Sequence, residues 1–144
     1  MKKILLFSIL SILFFACNNQ SDKQVNTVTS DPESANIEKT IELYIEGSRQ
    51  GNSSITAQAF AEGATLSGIH EGKFMLVPIQ VLYDLVDNNG AQEVTYKIES
   101  CSIEKDVAIV RLDAQFGTHK YTDMFTMVKD ADQWKIISKV FHLH

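Results

Sequence analysis

Asp123 and Lys139 are the two residues of this chain whose types and spacing most suggest chemistry. Asp130-Ala131-Asp132 lies between them. Read as a three-residue loop, it folds the C-terminal stretch into a hairpin that sets Asp123 opposite Lys139, Tyr121 opposite Phe141 and Phe125 opposite Ile137. All six share one face, because successive side chains of a strand alternate between faces. A carboxylate and an ammonium among three aromatic rings and an isoleucine can serve in two ways. As a cross-strand ion pair they pin register, worth roughly 0.2–1 kcal/mol if exposed. Inside a cavity, Asp123 becomes a polar contact or a base, with Tyr121, Phe125 and Lys139 beside the ligand. The structural role is the simpler one, and a change of one residue in the loop undoes the pairing.

Other candidates are weaker. His142 falls on the opposite face with Val140 and Ser138, where it lines a pocket mouth or is simply solvated. Tyr44, Phe60, Phe74 and Tyr83 lie on or beside helices and read first as core, with Tyr44 the one added to the ligand-binding candidates. His70 and His119 stand alone at strand ends or turns, His144 is the terminal residue, and the four histidines have no metal-site spacing. Cys101 sits in a strand-like stretch without a cationic cluster to activate it, so it reads as a packed small residue. The chain has no Gly-rich phosphate loop, no GxSxG elbow and no CxxC. Nucleotide hydrolysis, α/β-hydrolase chemistry and thioredoxin-like redox work lose support, and nothing in the pattern calls for a cofactor or metal.

The elements that must position these residues follow from the hydrophobic period. Asp31 as N-cap, Pro32 at the first position and Glu33 in the first turn start a helix. Ile37, Ile41, Leu43, Tyr44 and Ile45 form its stripe, and it ends near 47–51. Ser53-Ser54 cap a short second helix through Phe60, 64–70 is a short strand, and Glu71-Gly72-Lys73 is a turn. Pro78 opens a third helix with Ile79, Leu82, Tyr83, Leu85 and Val86 on its apolar face, stopped by Asn88-Asn89-Gly90. After Gly90 the period becomes two, giving strands at 94–99, 107–116, 120–129 and 134–143. Helices followed by an antiparallel meander of four main strands plus a short one make an α+β class.

The N-terminus carries a separate message. Met1-Lys2-Lys3 is cationic, 4–15 is apolar apart from Ser8 and Ser11, and Ala16 precedes Cys17. This is the pattern of a secretory signal. Its apolar run falls short of the roughly 20 residues that span a bilayer as a helix. The segment resembles the lipobox of bacterial lipoproteins, although Phe14 and Phe15 stand where leucine and a small residue are usual. That resemblance implies a signal peptide over 1–16, acylation of Cys17, a polar tether over 17–33 and a domain over 34–144. The chain would then be anchored by lipid at a membrane of the bacterial cell envelope, facing the periplasm or the cell surface. With Cys17 acylated, Cys101 has no disulfide partner within the chain. A formal net charge of −5 argues against nucleic-acid binding, which needs a basic footprint.

Three segments, 37–51 (IEKTIELYIEGSRQG), 60–66 (FAEGATL) and 121–142 (YTDMFTMVKDADQWKIISKVFH), resemble the nuclear transport factor 2-like superfamily. Within it they are most similar to a family of small bacterial domains named for lumazine binding. The resemblance implies a cone in which a curved sheet wraps a long helix around an internal cavity. It points to a domain that binds a small, partly apolar ligand without catalysis. The superfamily also contains scytalone dehydratase and ketosteroid isomerase, so an isomerase or dehydratase using Asp123, Tyr121 and His142 is the alternative. A third possibility is an interaction module whose copies pair as a homodimer through the open sheet face.

Overall fold

The computed structural model describes residues 32–144. The signal segment 1–16, the acylation at Cys17, most of the tether and the Asp31 N-cap lie outside the described residues.

Helix α1 (Pro32–Gln50) starts at its proline, whose missing N–H costs nothing at a first helical position. Its buried face carries Ile37, Ile41, Tyr44 and Ile45, the stripe expected from the sequence. A short helix α2 (Ser53–Thr56) and a 3₁₀ turn (Ala57–Ala59) lead into strand β1 (Phe60–His70). Strand β2 (Lys73–Pro78), helix α3 (Gln80–Asn89) and strands β3 (Val94–Glu104), β4 (Val107–Phe116), β5 (His119–Asp130) and β6 (Gln133–Leu143) complete the order.

The strands form one sheet in the order β2-β1-β6-β5-β4-β3. It is antiparallel except where β1 runs parallel to β6. The inner face, with Val110, Leu112, Phe125, Met127, Trp134 and Ile136, packs on α1. Burying these side chains, each worth about 1.5–3 kcal/mol, supplies the main driving force for closure. This is the expected helix-on-curved-sheet α+β architecture, with six strands rather than four plus one.

Strand β2 is the addition. Glu71 (φ 49°) and Gly72 (φ 75°) form a two-residue turn with both residues left-handed, the geometry a tight hairpin favours. Pro78 therefore ends β2, and α3 starts two residues later. Phe74, expected in the core, points outward and is 72% exposed. Cys101, expected to be packed, is exposed on edge strand β3.

The β5–β6 hairpin departs from expectation in an instructive way. Asp130 pairs with Gln133, so the turn holds two residues rather than three. The extra residue sits in β6: Met127 pairs with Ile136 but Thr126 pairs with Ser138, leaving Ile137 as a β-bulge. Beyond it, Asp123 faces Phe141, Tyr121 faces Leu143 and Phe125 faces Lys139. The partners are thus two residues away from those expected. The shared inner face of Asp123 and Lys139 survives, because the bulge restores the parity that the shorter turn removed. Ile137 itself leaves the aromatic face and is exposed.

Candidate functional site

A cavity of about 390 Å³ opens at the end of the cone where α3 crosses the sheet. Seven elements and a loop build its wall. Helix α3 contributes Val81, Leu82, Leu85, Val86 and Asn89; α1 contributes Tyr44 and Ser48. Leu66 and His70 come from β1, Met75 from β2, Phe116 from β4, His119 and Tyr121 from β5, and Lys139, Phe141 and Leu143 from β6. Gln92, from the loop after α3, completes it. The volume lies within the roughly 300–1,000 Å³ usual for small-molecule sites, and the mostly apolar wall with a few polar groups is also typical.

Lys139 is the unusual member. It faces the cavity yet is only 4% exposed, and its ammonium is ion-paired with Asp123, which is fully buried behind it. The Tyr44 hydroxyl donates to the other Asp123 oxygen, Oδ2, at 3.2 Å. Lys139 Nζ also lies 5.2 Å from the Tyr44 ring centre and 5.5 Å from that of Phe125, within range of a cation–π attraction. Around this core the rings interlock edge to face or tilted: Tyr44 on Phe60, Phe116 and Phe125, and Tyr121 on Phe116 and Phe141.

Burial sets the proton affinities. Loss of water lowers the Lys139 pKa, although the charge of Asp123 and the bond to it pull the other way. Burial, then the neighbouring charge of Asp123 and the bond to it, hold the Tyr44 hydroxyl well above its ordinary value. Burial, then the charge of Asp123, raises Tyr121 as well, to a smaller degree. The floor of the cavity is therefore a buried ion pair whose lysine holds its proton less tightly than an exposed one, flanked by phenols that hold theirs more tightly.

Of the candidates named from sequence, Tyr44, Tyr121 and Lys139 line the cavity. Asp123 and Phe125 stand directly behind them, fully buried and outside the wall. His142 is exposed on the opposite face, its ring 4.8 Å from that of His144, and takes no part in the cavity. Sequence reasoning passed over His70 and His119, which meet at the cavity from the ends of β1 and β5, and over Gln92, Ser48 and the α3 side chains. A signal for the last existed in the apolar face of α3. Leu85 stays 47% exposed because that face covers a void rather than a filled core. Among the described residues, no group of three or more His, Cys, Asp or Glu could hold a metal ion.

With this geometry in view, the comparisons with known proteins are informative. The family described as "Putative lumazine-binding" matches residues 32–142. The chain belongs to that family. A solved NTF2-like protein of unknown function from Shewanella baltica OS155 is 30% identical, with a TM-score of 0.75 over 82% of this chain and 98% of its own. Another, from Methylobacillus flagellatus KT, is 31% identical with a TM-score of 0.75, over 81% of this chain and 96% of its own. The lumazine-binding domain thus has the NTF2-like fold. A curated relative, "Aldolase FrzH" from a Cladobotryum species, is 27% identical over 106 residues, covering 72% of this chain and 85% of its own.

Proposed function

We propose that the domain binds a small, partly apolar ligand in the cavity under α3, with Lys139 and the tyrosines Tyr44 and Tyr121 meeting its polar atoms. The observation that carries this reading is an apolar cavity of about 390 Å³ with a buried ion pair at its floor. Asp123 acts through Lys139 and Tyr44, since it does not reach the wall itself. The test is native mass spectrometry of the chain purified from its source. A reproducible small mass, lost when Leu85→Trp fills the cavity, is the expected result; an empty protein that takes up no small apolar compound would overturn it.

The same reading places the domain outside the cytoplasm, tethered to a membrane of the cell envelope by lipid on Cys17. Support for this comes from the cationic start, the apolar run and the Ala16-Cys17 junction. Labelling with a fatty acid should vanish in Cys17→Ser, and persistent labelling would refute the anchor.

Two observations favour further readings. The relative named an aldolase suggests enzymatic carbonyl chemistry in the same cavity, beside the isomerase or dehydratase alternative. On the outer sheet face, Leu76, Val140 and Met124 lie along one row across β2, β1, β6 and β5, and are 61%, 44% and 41% exposed. Three exposed apolar side chains in one row, with Ser67 of β1 between Leu76 and Val140, suit pairing with a second copy. Light scattering should then give the mass of a dimer, and Val140→Lys that of a monomer.

A further inference from the structure

We infer that Lys139 is a carbonyl-capturing amine: a small neutral aldehyde or ketone bound in the cavity condenses with its Nζ to form an imine. The inference rests on the cavity being a ligand site and names the class of compound it takes.

Electroneutrality of the floor is the first argument. Lys139 is already matched by Asp123, so an anionic ligand would meet no unbalanced charge and would compete with a buried carboxylate. A neutral carbonyl needs no counter-charge. Among the residues lining the cavity, Lys139 is also the only one with a primary amine.

The second argument concerns where the proton goes. Asp123 sits on the far side of Lys139 from the cavity, so it can accept the ammonium proton without blocking the face a ligand approaches. That transfer exchanges two buried charges for a neutral amine and a neutral acid, so the floor stays electroneutral. Burial lowers the proton affinity of Lys139 in the same direction. The donor hydrogen bond from Tyr44 holds the carboxyl group in place.

The chemistry then balances without an outside reagent. The Nζ lone pair bonds to the carbonyl carbon, the π pair moves to oxygen, and one of the two Nζ protons passes to that oxygen, while the proton on Asp123 stays there. The resulting carbinolamine loses its remaining Nζ proton together with its hydroxyl as water. One amine and one carbonyl give one imine and one water, and no electrons are exchanged. The aromatic wall of Tyr44, Phe116, Tyr121 and Phe141 disfavours water near the product.

The test uses the full chain in detergent with cyclohexanone and sodium cyanoborohydride, which reduces an imine to a stable secondary amine, followed by peptide mapping. Lys139 should gain the mass of cyclohexanone less one oxygen, and do so faster than exposed Lys97 or Lys105, because the cavity holds the ketone against its Nζ. Cyclohexanol, which fills the same space without a carbonyl, should protect Lys139 and leave the exposed lysines unchanged. Leu85→Trp should act like cyclohexanol, and the alcohol keeps the test valid if that variant does not fold. Ligand-observed NMR of cyclohexanone without reductant separates the two levels of the argument. Binding that cyclohexanol displaces, with Lys139 modified no faster than Lys97, would overturn capture and leave the cavity reading standing. Absence of both binding and modification would overturn the two together.

Discussion

Among the described residues, two lysine–carboxylate pairs are anchored in the β5–β6 hairpin, and their surroundings give them opposite characters. Lys129 meets Glu33 at 2.8 Å where α1 begins, and the Trp134 indole donates to the other Glu33 oxygen at 2.8 Å. Both charged side chains keep contact with water, at 25% and 30% exposure, and neither lines the cavity under α3. Lys139 and Asp123, at the other end of the cone, are 5% and 0% exposed and border a void. The first pair fastens a helix end to the sheet at small desolvation cost. The second bears the full cost of burial, and ion pairs so placed are seldom the most stable solution for a core. Similar residue types therefore do structural work at the filled end of the molecule and are available for chemistry at the hollow end.

This contrast can be broken most forcefully at Asp123. Asp123→Ala leaves an ammonium buried without its partner and should cost about 3–5 kcal/mol in urea unfolding. The double variant Asp123→Leu/Lys139→Met should recover most of that stability while abolishing ligand binding. A mild single variant, or a double variant no better than the single, would mean that the buried pair is not under the strain described. Gly68→Ala is expected to have a smaller effect confined to the hollow end. A Cβ there would lie 2.7 Å from the Phe141 carbonyl oxygen and 2.8 Å from its ring, so the strand and a cavity wall must shift. Overpacking of this kind costs about 1–3 kcal/mol. Ligand affinity should fall with it, and unchanged affinity would place the ligand away from Phe141.

The smallest effect is expected at the filled end and depends on pH. Hydrogen bonds from Lys129 and Trp134 hold the Glu33 carboxyl below its ordinary value. The folded state thus takes up this proton less readily than the unfolded state. The resulting stability is present above the ordinary carboxylate pKa and is lost as pH falls through the lowered one. Asp87, bonded to Ser53, and Asp113, bonded to Thr122, are lowered as well and add to acid sensitivity over the same range. The melting temperature of Glu33→Gln should therefore trail that of the parent slightly at neutral pH, with the gap closing in acid. A gap that persists at low pH would show that the Glu33 contribution is not electrostatic.

How much of this could be read from residues alone differs between the two ends. The α1 stripe and the four meander strands were legible because each alternates cleanly and is bounded by turn residues. Strand β2 was not, since Phe74-Met75-Leu76-Val77 is apolar on both faces and has no polar alternation to mark a strand. The co-facing of Asp123 and Lys139 was visible in the hairpin, but the extra residue was assigned to the loop rather than to Ile137. The cavity wall was the least legible part. His70, Gln92 and His119 converge only because β1 lies beside β6 and α3 folds back over the sheet, and no local pattern encodes that approach.

The bulge at Ile137 has an evolutionary corollary. If β6 paired straight through from Ile136, Ser138, Val140 and His142 would turn inward, while Lys139 and Phe141 would move to the outer surface. A hydroxyl, an isopropyl group and an imidazole would then furnish the interior in place of an ammonium and a phenyl ring. The scaffold would be unaltered, and no codon for a lining residue would have changed. In this hairpin, loss of the bulge at unchanged length is a shorter route to new chemistry than any point mutation, so relatives whose β6 pairs without a bulge are where a differently equipped cavity should be sought.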